Sequence, residues 1–300
     1  MKLSIVIATH ARPASLVRLI ASLAPQLHAG DHELFIAENG TPAPTALDRS
    51  AFATAADIIH LHDPLPGKCR VQNRAIAAAR GDLLAFLDDD LAVAQGYVDA
   101  VERFFAEYPH FAAMKGRILP AEDPVAKVGA TAPYLDLPIA DHGDRVVEVR
   151  GVLGANMAFR ASALRQVGPF DERLGPGAAG HEEETEMSQR LRRAGLHIGY
   201  APQALVWHEV DPARADRHRF IRIARERGYC RMLHESHSRC EILGKELTAS
   251  IRLTIARVIG APVQRLAREE RRLAIARGMR DGLGKGSPGE NADAGSLLPH

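Results

Sequence analysis

The hydrophobic positions of this chain change period in a repeating way. Leu3 to Ala8 is an apolar run with only Ser4 inside it, and Leu16, Leu19, Ile20 and Leu23 then recur at helical spacing behind Pro13, a residue suited to a first helical turn. Glu33 to Ala37 predicts a second strand ending in Glu38-Asn39-Gly40-Thr41, a second helix is expected over about 44 to 55, and Ile58 to Leu61 predicts a short third strand. Gly67 opens a helix over Lys68 to Ala79, which leads through Gly81-Asp82 into a fourth strand, Leu83 to Leu87. Continuous apolar strands are buried on both faces, and strands alternating with helices imply parallel pairing with right-handed crossovers. The loops after such strands gather on one edge, so Thr9, Glu38 and Asp88 to Asp90 are expected to converge there.

Past the fourth strand, Val98, Val101, Phe104 and Phe105 predict a helix from about residue 96, and residues 110 to 150, rich in Pro, Gly and Asp, read as loops and strands. Val147 to Leu153 and Ala155 to Phe159 predict strands, Ser162 to Val167 a helix, and Pro169-Phe170-Asp171-Glu172 a turn. Glu183 to Ala194 reads as a helix closed by Gly195, and Ala204 to Trp207 as a strand ending at His208. From 211 the pattern is helical and basic. Leu247, Ile251, Ile255, Val258 and Ile259 follow helical spacing, Pro262 breaks the run, and Leu266, Leu273 and Met279 continue in a second helix. The fold class is α/β: one domain with a mostly parallel central sheet over 1–210, a basic helical extension over 211–280, and a tail over 281–300 whose composition predicts disorder.

Composition narrows the partners. With 38 Lys plus Arg against 37 Asp plus Glu there is no whole-chain case for nucleic acid, yet residues 245 to 285 hold ten Lys/Arg and four Asp/Glu. That local excess suits either an anionic lipid surface or the solvated face of helices docked on the main domain or on a twin subunit. Three scattered cysteines fit a reducing compartment, the start reads as a strand and not a signal peptide, and no apolar window reaches the ~20 residues of a membrane span. The expected location is cytoplasmic, with peripheral contact at the inner face of the membrane as one alternative.

The chemistry concentrates in a few places. The fourth strand runs into Asp88-Asp89-Asp90, and three carboxylates there are costly unless a cation meets them. On extended backbone Asp88 and Asp90 share a side while Asp89 faces away, and paired hard oxygen ligands suit Mg²⁺ or Mn²⁺. His208, at another strand end, is a candidate to complete the metal shell or bond a phosphate. The Glu38 carboxylate can accept a base N–H, and Lys68 and Arg70 in a first helical turn oppose the macrodipole, which points to an anion at that end. Asn73 lies one turn later on the side of Arg70. Glu184, Met187 and Leu191 share a helix face, so Glu184 is expected to look inward with a raised pKa, as a general base requires. Cys230, His234, His237 and Cys240 superficially resemble a zinc site, but one rigid helix cannot wrap four ligands around an ion.

Over roughly residues 2 to 210 the chain resembles the family-2 glycosyltransferases, which have a single nucleotide-binding domain of the type called GT-A. The resemblance rests on Ser4-Ile5-Val6-Ile7-Ala8-Thr9, Gly67-Lys68-Cys69-Arg70 with Asn73, Ala79-Arg80-Gly81-Asp82 leading to Phe86-Leu87-Asp88-Asp89-Asp90, and Gly154-Ala155-Asn156-Met157-Ala158-Phe159-Arg160. Gly168-Pro169-Phe170-Asp171-Glu172 and Glu183-Glu184-Thr185-Glu186, with the Arg-Leu-Arg-Arg-Ala-Gly that follows, complete it. It implies Mg²⁺- or Mn²⁺-dependent, inverting transfer of a sugar from a nucleoside-diphosphate donor, expected to be a UDP-sugar, to a hydroxyl of a glycan or lipid-linked acceptor. On that reading Thr9 and Glu38 hold the nucleoside, and Lys68, Arg70 and Asn73 bind the donor. Asp88 and Asp89 lie at the donor, while Asp88, Asp90 and His208 are metal ligands. Asn156 lines the acceptor side. Glu184 is the base, with Glu183 as the alternative.

Two departures stand out: Glu-Glu replaces the family's Glu-Asp pair, and Glu38 replaces the usual aspartate. Each extra methylene moves a carboxylate by ~1 Å, enough to require compensating backbone shifts. Two other functions fit parts of the pattern. A sugar-nucleotide pyrophosphorylase lacks support because Thr9-His10-Ala11-Arg12-Pro13 is a poor triphosphate cradle, and a non-catalytic nucleotide-sugar-binding protein would retain donor binding without transfer.

Overall fold

Leu3, Ile5 and Ile7 face one side of the first strand and Val6 the other, and all four are fully buried. The same split recurs in the fourth strand, where Leu83, Ala85 and Leu87 join one core and Leu84 and Phe86 the other. A sheet covered on both faces is why these strands carry apolar runs without alternation. The computed structural model describes residues 1–40, 44 and 56–283. The helix expected over about 44 to 55 and the chain beyond 283 lie outside the described residues.

The elements in chain order are β1 (Leu3–Thr9), α1 (Pro13–Leu23), β2 (His32–Asn39), β3 (Asp57–Asp63), α2 (Lys68–Ala78), β4 (Leu83–Asp88), β5 (Leu91–Val93) and α3 (Tyr97–Glu107). There follow β6 (Phe111–Pro120), α4 (Pro124–Val128), β7 (Val147–Glu148), β8 (Asn156–Arg160), α5 (Ala161–Val167), α6 (Glu183–Arg193), β9 (His197–His208), α7 (Arg217–Arg231), α8 (Arg239–Val258) and α9 (Val263–Gly282). The sheet order is β3-β2-β1-β4-β8-β6-β9-β5, with β7 beside β9. From β3 to β4 the pairing is parallel, as expected, whereas β8 runs antiparallel to both β4 and β6 and makes the second half of the sheet mixed. α1 and α3 cover one face; α2, α5 and α6 cover the other.

Three departures from the sequence reading have local causes. The strand expected over Val147 to Leu153 shrinks to two exposed residues, because beyond Glu148 the Val149 N–H donates to the Ile198 carbonyl and the Val152 N–H to the Ser188 hydroxyl, outside a ladder. Residues 111–120 form the long β6, which begins apolar but carries Lys115 and Arg117 and so lacks a clean pattern. β9 begins at His197, well before Ala204, because it pairs with β6 across two register shifts.

Two compact units divide the chain. The first comprises Met1–Pro124, Leu137–Ala178 and Glu183–Val210; the second takes Val125–Asp136, Ala179–Glu182 and the chain from Asp211 onward. Within the second unit α7 and α9 approach closely, since a Cβ at Gly228 would lie 2.0 Å from the Ile275 carbonyl oxygen and one at Gly278 1.9 Å from that of Arg225. Buried Glu270 accepts hydrogen bonds from Arg217, Arg257 and the Tyr134 hydroxyl. The zinc-like residues do not sit on one helix as the sequence reading supposed: the chain breaks between α7 and α8, His237 bonds Glu235 and Glu241, and the Cys230 thiol donates to the Ala179 carbonyl. Among the described residues no helix is long and apolar enough to cross a membrane.

Candidate active site

Parallel register brings the expected edge together. Thr9 lies opposite Glu38 and Ala8 opposite Asp88, so the ends of β1, β2 and β4 stand level. β5 then turns back along β9 with Leu91 opposite His208, and the Glu209 N–H donates to the Asp90 carbonyl. That pairing carries His208 to the aspartates from the far side of the sequence.

The three aspartates do not follow strand alternation. β4 ends at Asp88, and Asp89 and Asp90 belong to the following turn, so the expected pairing of Asp88 with Asp90 is replaced by two separate groups. Asp89 accepts from the Thr9 hydroxyl at 2.7 Å, and Arg12 bridges Asp89 and Asp90 at 3.3 and 3.2 Å. Burial pushes the Asp89 carboxyl up, while the Thr9 hydrogen bond and the Arg12 charge oppose that. His208 Nε2 lies 3.3 Å from Asp90 Oδ1, and both groups are buried. Its Nδ1–H donates to the Glu209 carbonyl at 2.8 Å, so in the neutral ring Nε2 carries the lone pair that faces Asp90. Two lone-pair donors oriented at one another by a backbone hydrogen bond fit a divalent cation. Among the described residues no three His, Cys, Asp or Glu side chains form a metal-ligand group.

Asp88 belongs to the second group. Lys68 Nζ donates to Asp88 Oδ1 at 2.6 Å and stands 3.6 Å from Glu183 Oε1. Burial alone would push the Lys68 ammonium down; attraction from Asp88 and Glu183 outweighs it, and the net displacement is upward. A Cβ at Gly154 would lie 3.5 Å from Lys68 Nζ, 3.8 Å from Glu183 Oε1 and 3.9 Å from Glu184 Cδ, so all three side chains converge over this glycine. Met187 and Leu191 are buried on the same helix face as Glu184. The Glu184 carboxyl is pushed up to about 8, chiefly by burial and next by the Glu183 charge, with Lys68 opposing. Glu183 is the more enclosed of the pair and stands nearer the ammonium.

Several expected ligands have other partners. Asn73 clamps a turn: its amide donates to the Phe170 carbonyl at 2.9 Å and to Glu172 at 3.1 Å, and its oxygen accepts the Phe170 N–H at 2.9 Å. Asn156 is fully buried, accepts from the Tyr97 hydroxyl at 2.8 Å, and donates to the Ala204 and Arg117 carbonyls at 2.9 and 3.2 Å. It pins β6 and β9 from β8. Arg70 bonds Asp63 and Glu172, and buried Glu38 meets His60 Nε2 at 3.0 Å. The Thr9 hydroxyl orients Asp89.

Arg12, Asn39, His60, Tyr97 and Lys115 escaped the sequence reading. Asn39 donates to the Thr9 carbonyl and accepts the Gly67 N–H, tying β2 to both neighbouring loops. Only its position directly after Glu38 signalled it. Lys115 lies opposite Met157 on the sheet face that α6 covers, and among the described residues its ammonium has no hydrogen-bond or ion-pair partner. Burial pushes that ammonium down, with the Glu184 charge opposing.

The chain matches the family model of Glycosyl transferase family 2 over residues 4–168, a span that holds Thr9, Glu38, Lys68 and Asp88 to Asp90. The chain belongs to that family. It is 31% identical over 215 residues to the pre-mycofactocin glycosyltransferase of Mycobacterium tuberculosis, an alignment covering 69% of this chain and 42% of the relative, so the chain spans less than half of that protein's length. It is 24% identical to the glucosyl-dolichyl phosphate glucuronosyltransferase of Haloferax volcanii over 72% of each protein. The mannosyltransferase PcManGT from Pyrobaculum calidifontis, solved with GDP-Man and Mn²⁺, superposes with a TM-score of 0.61 at 13% identity, covering 95% of this chain and 88% of that one. GalNAc-T7, solved with UDP, GalNAc and Mn²⁺, gives 0.52 at 11% identity over 77% and 50%. These likenesses establish the GT-A fold.

Proposed function

We propose that the chain transfers a sugar, with inversion, from a nucleoside-diphosphate donor to a hydroxyl acceptor, with Glu184 as the base. The observation that carries this reading is the convergence of Lys68, Glu183 and Glu184 over Gly154, on the same sheet edge as Asp88. Glu184 accepts the acceptor's hydroxyl proton; the freed oxygen bonds the anomeric carbon as the bond to the diphosphate oxygen breaks, and in-line displacement inverts that centre. Lys68 holds Asp88 and Glu183 in place, and Arg12 with Thr9 holds Asp89 and Asp90. A bound Mg²⁺ or Mn²⁺, with Asp90 and His208 as its protein ligands, would neutralise charge developing on the leaving diphosphate. Glu38 and Arg70 are the donor-side residues whose placement at the β2 end and the α2 start supports contact with the nucleoside.

The solved neighbours carry GDP-Man or UDP with Mn²⁺, which supports a nucleotide-sugar donor and a divalent ion here; a UDP-sugar is the proposed donor. The Haloferax relative is named for a dolichyl phosphate, which supports a lipid-linked acceptor and, with it, a cytoplasmic protein working at a membrane face.

Thermal stabilisation by UDP-, dTDP- and GDP-sugars, with and without Mn²⁺, is the direct test. A ligand at a hundred times its Kd adds ~2.7 kcal/mol. The expected result is a Mn²⁺-dependent rise for UDP-sugars that Asp90→Ala abolishes, followed by release of UDP and a product of inverted anomeric configuration. Equal shifts with and without the ion, or release of pyrophosphate, would overturn the assignment.

A further inference from the structure

α8 has two apolar faces where a helix docked on a single partner needs one. Ile242, Ala249, Leu253 and Ala256 are buried, and Ala249 and Leu253 pack with Leu266 and Leu273 of α9. On the opposite side Leu243, Leu247, Ile251, Ile255 and Val258 form a stripe at spacings of three and four, extended by Ile259. They are 45, 64, 51, 48, 81 and 57% exposed, which makes them the main run of large exposed apolar side chains among the described residues. Helical geometry places Arg239 and Arg257 along one border of this stripe and Lys245 and Arg252 along the other, with Arg257 ion-paired to Glu270 and Lys245 to Glu241. Arg239 and Arg252 have no hydrogen-bond or ion-pair partner among the described residues. Beside the second border opens a cavity of about 490 Å³ whose lining includes Arg231, Lys245, Arg252 and Arg272 against the single carboxylate of Glu235.

We infer that α8 lies in the interface of a bilayer containing anionic lipids, its stripe among the acyl chains, its flanking cations at head groups, and the basic cavity as a head-group seat. An apolar stripe bordered by cations is the pattern of a helix lying in a membrane plane. A second copy is the weaker occupant, because its α8 carboxylates, Glu241 and Glu246, are already ion-paired to Lys245 and Arg280 and leave Arg239 and Arg252 unmet, while anionic head groups complement them. The inference stands apart from the transferase reading: it needs only α8, α9 and the end of α7 with the loop after it.

Co-sedimentation of the full chain with vesicles of phosphatidylcholine alone, or of an equal mixture with phosphatidylglycerol, tests it. The chain is expected to bind the mixed vesicles and not the neutral ones, and added salt should weaken binding. The double variant Leu247→Glu/Ile251→Glu, altered at two exposed positions, should lower binding by about tenfold or more, and Arg252→Glu by about threefold or more, with helical circular dichroism unchanged. Absence of binding by the parent, equal binding to both vesicle types, or parent-like binding by both variants would overturn it. So would a parent dimer in light scattering that the double variant dissolves, which would give the stripe to a second copy.

Discussion

The two ends of one sheet treat a carboxylate in opposite ways. At the amino end, Glu33 accepts the Ser4 hydroxyl at 2.6 Å, the Arg80 N–H at 2.6 Å and the Arg80 guanidinium at 3.0 Å. Burial opposes its ionisation, but these hydrogen bonds prevail and its carboxyl is held below the usual range. At the carboxyl end, the half-buried Glu184 lies beside another carboxylate and is displaced upward. The first arrangement is satisfied and holds the sheet together. The second is left short of positive partners, and that is what a proton acceptor needs.

Glu184→Gln gives the largest expected effect on activity, a fall in kcat of roughly 10²–10⁴-fold with donor affinity preserved. Donor binding lost along with turnover would move Glu184 from the proton transfer to the donor site. Glu33→Gln should do the reverse, costing about 2–3 kcal/mol of stability, read from urea unfolding, while kcat per folded molecule stays at the parent value. A loss of kcat without loss of stability would erase the contrast between the ends.

The two groups also set opposite slopes of stability against pH. Glu33, displaced downward from 4.5, contributes stability that is present above its unfolded value and lost as pH falls through its folded value. Glu184, displaced from 4.5 to about 8, makes the folded state hold a proton that the unfolded state has released, so stability declines as pH rises between those values. Glu184→Gln should therefore gain on the parent across that window and match it near pH 4. A constant difference between the two unfolding curves would place Glu184 in a polar setting. The smallest effect is expected at Lys115: Lys115→Met should raise an acceptor or donor KM by roughly 3–10-fold with little change in kcat, measured by steady-state kinetics. An unchanged KM would leave this ammonium without a ligand.

Apolar runs carried most of the fold, because a sheet buried on both faces leaves an unmistakable record at β1, β2 and β4. The mixed half was less legible: β6 is interrupted by Lys115 and Arg117, and β9 is bent by register shifts that no local pattern announces. The candidate site was legible as a cluster at Asp88 to Asp90, Lys68, Glu183 and Glu184, where charges stand against burial or the helix dipole. The structural bonds of Asn73 and Asn156 were not legible, because a motif amide looks the same in sequence whether it meets a ligand or the backbone. Arg12 and Lys115 were invisible for a related reason. A single cation between polar neighbours or inside a strand gains its meaning only from what the fold sets opposite it.

The most direct measurement is the single-turnover transfer rate against pH, with donor and Mn²⁺ saturating. The parent rate should climb with the deprotonation of one group of pKa well above an ordinary carboxylate, near the value of about 8 to which Glu184 is pushed, and that limb should vanish in Glu184→Gln. A flat parent profile, or the same limb surviving in the variant, would contradict the assignment of Glu184 as the base.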